Sequence, residues 1–270
     1  MRRTLRKSLL SANVFVAIIA VAPLAVALPP SGDDAKQAVE TSPRHGEYVF
    51  VPMPDSDVKL RTWVSYPERA DKAPVVIVIH EIFGMTDWIR SVADALAAEG
   101  YIAVAPDLIS GMEGAEENPR ETIGRLEDSE AINRLNVTLD YAQNLPAAGD
   151  TCAVMGFCWG GKTSFLYATA QPELDAAIVY YGTSPETSTL TQVNAPVLGL
   201  YGENDARVNS TIEEAERELN RLGKSFEKEI YAGAGHGFLR QQSGQDGANQ
   251  QASEKAWERT LAFLNEHTGG

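Results

Sequence analysis

Cys158 stands in the hexapeptide Gly156-Phe157-Cys158-Trp159-Gly160-Gly161, where an apolar run gives way to a helix-forming one. The form G-x-C-x-G-G is the thiol version of the G-x-S-x-G nucleophile turn. In such a turn the chain reverses sharply from strand to helix and lifts its central side chain above the sheet. Glycines on either side suit it, because they lack the Cβ that would obstruct so tight a passage. The helix that follows aims its N-terminus at the thiol, which favours the thiolate and stabilises negative charge developing beside it. The Trp159 amide then falls where an oxyanion needs a donor. The plainer reading is a tight strand–helix contact with an incidental cysteine. A nucleotide loop fits less well, since the glycines miss the G-x-G-x-x-G spacing and no Walker Lys-Ser ending follows.

A thiol nucleophile normally works with a general base, most often histidine. The chain has four histidines. His45 lies in a polar segment and His267 three residues from the end, while His80 closes an apolar strand. His236 lies in "YAGAGHGFLR", a glycine-rich loop that can lower a side chain onto a sheet edge. In the chain order nucleophile, acid, histidine, His236 is the base. The orienting acid should follow an intervening strand, and "VLGLYGENDARV" offers Glu203 and Asp205 there. Asp205 lies deeper in the turn and precedes an amphipathic helix, so it is preferred; a turn or helix-capping aspartate is the plainer alternative.

The elements that must position these groups are legible as alternating patterns. "EYVFVPM" and "KLRTWVSYP", separated by "PDSD", read as two antiparallel strands. "APVVIVIHE", "YIAVAPD", "TCAVMGF", "LDAAIVYYG", "APVLGLYGEND" and "SFEKEIYAGAG" read as further strands. Between them lie the helical stretches "TDWIRSVADALAAEGY", "GGKTSFLYATAQ" and "NSTIEEAERELNRLGK", with "ANQQASEKAWERTLAFLNEH" as the last. "NPRETIGRLEDSEAINRLNVTLDYAQNLP" reads as a loop and one long helix. Near-continuous apolar strands between amphipathic helices indicate an α/β fold with a mostly parallel central sheet covered on both faces.

The first 27 residues run from four cations without an acid, through an apolar stretch, to Ala25-Val26-Ala27. This order fits a secretory signal peptide. Leu9 to Ala27 is also nearly long enough to span a bilayer as an uncleaved anchor. Export is therefore expected, to the periplasm or outside the cell, with the route open: Arg2-Arg3 suggests twin-arginine export, but Arg6 stands where that signal usually has an apolar residue. Residues 28–47 read as a polar tether, and 48–270 as a single domain. Loss of the leader would move the net charge from -14 to about -18, a surface that repels nucleic acid and anionic lipid. The expected partner is a small molecule, with no membrane contact beyond an N-terminal anchor.

Exported chains often pair their cysteines. Here Cys152 and Cys158 are six positions apart on one strand and its turn, about 15–20 Å if extended, whereas a disulfide needs Cα atoms within about 7 Å. Both should be free thiols, with Cys152 an ordinary strand residue.

From about Val51 to Leu264 the sequence resembles the dienelactone hydrolase family of α/β-hydrolases. The resemblance rests on "HEIFG" at 80–84, "APDL" at 105–108, "GFCWGG" at 156–161, "YGENDARV" at 201–208 and "AGHGFLR" at 234–240. It implies Cys158 as nucleophile, Asp205 as orienting acid and His236 as base. It further implies that Glu81 controls the thiol's ionisation when substrate arrives and that the Ile82 and Trp159 amides form the oxyanion hole. His80 stands where the family commonly has another polar residue, and no role attaches to it. Arg240 matches an arginine that grips the substrate carboxylate through its fixed fork of donors; from the residues alone it could be a surface arginine, as Glu81 could be a solvated carboxylate. A second such arginine has no unambiguous match, Arg120 and Arg125 being available. The resulting expectation is an exported hydrolase that cleaves a small ester or lactone through a thioester, without metal or organic cofactor. A non-catalytic ligand-binding protein and a thiol redox protein are the alternatives from other classes.

Overall fold

The computed structural model describes residues 28–54 and 56–269; the leader lies outside them. Eight strands form one sheet: β1 (Gly46–Pro52), β2 (Lys59–Ser65), β3 (Ala73–Ile79), β4 (Ile102–Pro106), β5 (Ala148–Phe157), β6 (Ala176–Tyr180), β7 (Val197–Asn204) and β8 (Phe226–Gly235). Their spatial order is β1-β2-β4-β3-β5-β6-β7-β8. The β1–β2 and β2–β4 pairs are antiparallel and all others parallel. With helices on both faces, this is the α/β-hydrolase architecture expected from the sequence.

The helices are α1 (Ala35–Thr41), α2 (Asp87–Ala98), α3 (Pro119–Arg125), α4 (Asp128–Gln143), α5 (Trp159–Ala170), α6 (Ala206–Asn209), α7 (Ile212–Leu222) and α8 (Ala248–Thr268). Strand β3 shows why a continuous apolar run signals a central strand. Val75, Ile77 and Ile79 enter one core with α3, α4, α5 and α7 residues. Val76 and Val78 enter the other, with residues of α2 and α8. Successive side chains point to opposite faces, so a strand covered on both sides must be apolar at every position.

Two expectations are corrected. The stretch expected as a loop and one long helix forms α3 and α4, broken where Leu126 leaves helical geometry and joins the core. The segment expected as a tether folds onto the domain. Pro30 accepts a hydrogen bond from Trp88 Nε1 at 3.2 Å, and Pro29 one from Gln242 Nε2 at 2.8 Å. The Gly32 amide donates to the Arg240 carbonyl at 2.8 Å. Helix α1 follows with Ala35 buried, and Arg44 forms a bidentate pair with Asp94 of α2 at 3.0 and 2.6 Å. The composition is polar because few of these residues are buried; anchoring comes mainly from backbone carbonyls and one arginine fork, neither of which has a hydrophobic period.

A chain beginning at Ser42 should be less stable than one beginning at Leu28 by about 2–4 kcal/mol, taking about 1 kcal/mol per hydrogen bond and about 25 cal/mol per Å² of apolar surface. Denaturant titration of the two chains measures the difference. Identical midpoints would restore the tether.

Candidate active site

Strand β5 delivers Cys158 to the turn. Its backbone sits at φ 57°, ψ -113°, a conformation that costs a non-glycine residue free energy and persists only where the surroundings enforce it. The Cys158 amide donates to the Tyr180 carbonyl at 3.0 Å, and the Cys158 carbonyl accepts from the Lys162 amide at 3.1 Å. The glycines are required by close backbone contacts: a Cβ at Gly156 would lie 1.9 Å from the Gly160 carbonyl oxygen, and one at Gly160 2.5 Å from the Ile79 and His80 oxygens. Gly182 makes the same kind of approach, since its Cβ would lie 2.2 Å from the Lys162 nitrogen. Sequence reading did not single out Gly182, although it closes "AIVYYG", the strand neighbouring the nucleophile turn.

His236 follows β8 in a tight turn whose next residue, Gly237, has φ 73°. Its Nδ1 lies 2.5 Å from Asp205 Oδ2. Asp205 is also the N-cap of α6, its Oδ1 accepting from the Val208 amide at 3.4 Å. Asp205 thus caps α6 with one carboxylate oxygen and meets His236 with the other. An ionised carboxylate only accepts, so Nδ1 bears the proton and Nε2 presents a lone pair, with no hydrogen-bond partner among the described residues. Tyr181, at φ 40°, packs its ring edge-on to His236 with centroids 5.2 Å apart. Its buried hydroxyl has no hydrogen-bond partner among the described residues.

Glu81 and Arg240 meet in this region from positions far apart in the chain. Arg240 Nε donates to Glu81 Oε2 at 2.7 Å, and the guanidinium lies over the Phe83 ring at 4.9 Å. The terminal nitrogens of Arg240 make no hydrogen bond among the described residues. Burial pushes the Glu81 carboxyl above its usual range, opposed by the charge and hydrogen bond of Arg240. The Cys158 thiol is also pushed up, first by burial and then by the Glu81 charge. The Trp159 amide and Arg207 pull it down, and Asp205 adds to the rise. The helix N-terminus was expected to favour the thiolate; in the folded site burial and Glu81 outweigh it and hold the thiol above its ordinary range.

Arg207 was overlooked in the sequence although it lies in the quoted "YGENDARV". It is an exposed cation near the thiol, and its guanidinium has no ion-pair partner among the described residues. Arg125 is tied to the Glu113 carbonyl at 2.5 Å, and among the described residues neither it nor Arg120 forms an ion pair with a site residue. Cys152 is buried in β5, and both cysteines are free. A cavity of about 560 Å³ between Phe50, Arg61, Asp107 and residues 112–117 contains none of these groups, so the site is located by its chemistry.

The family model described as "Dienelactone hydrolase family" matches residues 60–268. A "Putative carboxymethylenebutenolidase" of Escherichia coli strain K12 is 29% identical over 93% of this chain and 94% of its own length. A protein of the same name from Salmonella typhimurium strain LT2 is 30% identical over 80% and 86%. Among solved structures, a "Putative Dienelactone Hydrolase" from Klebsiella pneumoniae subsp. pneumoniae superposes with a TM-score of 0.73 at 28% identity, covering 83% of this chain and 99% of that one. A dienelactone hydrolase-like promiscuous phosphotriesterase from metagenomic libraries also reaches 0.73, covering 83% and 98%, and its 21% identity speaks to the fold alone. The strained cysteine turn and the histidine–aspartate pair therefore sit in a chain that belongs to the dienelactone hydrolase family, a hydrolase of the ester or lactone type.

Proposed function

We propose that Cys158, His236 and Asp205 form a catalytic triad that cleaves a small ester or lactone through a thioester. The observation behind this reading is the Asp205–His236 pair, which presents an unpartnered Nε2 on the same sheet edge as the strained Cys158 turn. His236 takes the thiol proton, and the sulfur attacks the carbonyl carbon. The Ile82 and Trp159 amides hold the oxyanion, oriented donors being worth most where water is excluded. Collapse breaks the carbon–oxygen bond, and the leaving oxygen takes the proton from His236. Water, giving its proton to His236, then adds to the thioester. Release of the acid regenerates the thiol.

Glu81 and Arg240 adapt this scheme to a protonated resting thiol. Arg240 holds Glu81 through Nε while its terminal nitrogens remain available to a substrate carboxylate. A carboxylate arriving there weakens the Arg240–Glu81 pair and leaves Glu81 the stronger proton acceptor beside Cys158. Small anionic esters and lactones are thus the favoured substrates, with neutral esters accepted less well. Cys152, the only other thiol, is enclosed in β5 and gives Cys158 no resolving partner, which disfavours redox chemistry.

We further propose that residues 1–27 direct export, either as a cleaved signal or as an anchor through residues 9–27. N-terminal sequencing of the protein from fractionated cells decides between them, and a cytoplasmic protein retaining its first residues would refute export.

Turnover of short p-nitrophenyl esters and of a dienelactone should vanish in Cys158→Ala. In His236→Ala, kcat should fall by about two orders of magnitude or more. Turnover that survives loss of the thiol would refute the mechanism. Loss of Arg240 should raise KM for anionic esters while leaving neutral ones nearly unchanged, and equal effects on both would exclude a carboxylate clamp. In Glu81→Gln the negative charge that raises the Cys158 thiol is gone, so the pH profile of iodoacetamide alkylation should move to lower pH. Burial remains in this variant, so the shift is partial. An unmoved profile would show that the Glu81 charge does not govern the thiol.

A further inference from the structure

We propose that His80 is a positioning residue that aims both arms of the oxyanion hole, setting the direction of the Ile82 amide by a hydrogen bond and seating Trp159 by stacking. The proposal rests on the reading of Ile82 and Trp159 as oxyanion donors. His80 is completely buried at the end of β3, and both its ring nitrogens are engaged. Nε2 lies 3.1 Å from the Leu108 amide, which can only donate. Nε2 must therefore offer a lone pair, and the ring proton resides on Nδ1. Nδ1 in turn lies 2.7 Å from the Glu81 carbonyl oxygen and donates to it. One backbone amide thus selects the tautomer that makes the other bond possible. Burial pushes the imidazole pKa down, in keeping with a neutral ring. Asp107, whose Oδ1 is 3.9 Å from Nε2, directs its other oxygen to Arg61 at 3.1 Å.

The Glu81 carbonyl belongs to the peptide whose nitrogen is that of Ile82. In a planar trans peptide the C=O and N–H point in opposite directions. Fixing the oxygen on His80 Nδ1, with a second, longer bond from the Gly84 amide at 3.3 Å, fixes the Ile82 N–H on the opposite side. Ile82 is half-buried, and its N–H has no acceptor among the described residues, which leaves it open to solvent or to a ligand oxygen. The other face of the same imidazole stacks on Trp159, with centroids 5.4 Å apart and planes 22° apart. One ring therefore touches the two segments that supply the two donors. Without the Nδ1–H bond, the Glu81–Ile82 peptide is held only by the long turn bond and is free to rotate.

The test compares His80→Phe and His80→Gln in the full chain. Phenylalanine keeps a stackable ring and loses both hydrogen bonds, whereas the glutamine amide offers one donor and one acceptor. Rates are expressed per native protein, with the native fraction of each variant measured by near-UV circular dichroism, because the thiols of unfolded chains titrate as well. In His80→Phe, kcat for p-nitrophenyl ester acylation should fall by about ten- to a hundredfold, a fraction of the 10²–10³ typical for removing an oxyanion donor, with KM within about twofold. Alkylation by iodoacetamide, which uses the thiol but creates no oxyanion, should be unchanged. His80→Gln should recover most of the lost acylation rate. Wild-type acylation in folded His80→Phe would overturn the proposal. So would a glutamine variant as impaired as the phenylalanine one, or alkylation that falls in step with acylation. Acylation that is already independent of Cys158 in the parent chain would instead refute the triad reading.

Discussion

The site depends on one close approach: the first turn of α5 lies against the ends of β3 and β6 with no side chain between them. Gly160 faces the Ile79 and His80 carbonyls, and Gly161 faces Tyr180 and Gly182 at distances a Cβ would reduce to 2.5–3.1 Å. This backbone-on-backbone contact forces Cys158 into its left-handed conformation and lets the Cys158 amide reach the Tyr180 carbonyl. It also brings Trp159 onto His80, and so brings the start of one helix to the segment that leaves a different strand. Strain at Cys158 is the consequence of that contact, sustained by apolar cores on both faces of the sheet.

Electrostatics then set the resting state. Two carboxylates, Glu81 and Asp205, are nearly buried within reach of the thiol. Each has a partner: Arg240 for Glu81 and His236 for Asp205. An unpartnered buried charge would be costly, so these pairings are conditions for the carboxylates to be there at all. Burial first, then the Glu81 charge and, more weakly, Asp205, push the thiol up. Such a thiol is a poor target for oxidation, because reactivity follows thiolate character.

The N-terminal strap joins this arrangement from outside the sheet. Gly32 bonds to the backbone of Arg240, and a Cβ at Gly32 would lie 2.9 Å from Arg240 Cγ. Gln242 holds Pro29 from the same loop. The loop that positions Arg240 is thus braced by residues that precede the first strand, which links residues 29–32 to the Arg240–Glu81 pair.

The sequence by itself determined the alternation of strands and helices and the glycine-flanked strand–helix turn at Cys158, and it singled out Asp205 and His236, which the fold brings together. These follow from periodicity and from backbone sterics, which act over a few residues: G-x-C-x-G-G is legible because a Cβ has no room there, and the strands because faces covered on both sides must be apolar. Tertiary structure decided what depends on partners from distant segments. Arg240 and Glu81 are 159 positions apart, and nothing local shows that the arginine already holds the glutamate. The same limit applies to the thiol's protonation, the tautomer of His80, the unpartnered Tyr181 hydroxyl and the docking of residues 28–44. Burial and hydrogen-bond partners set each of these, and both are properties of what packs against a residue rather than of the residues beside it in the chain.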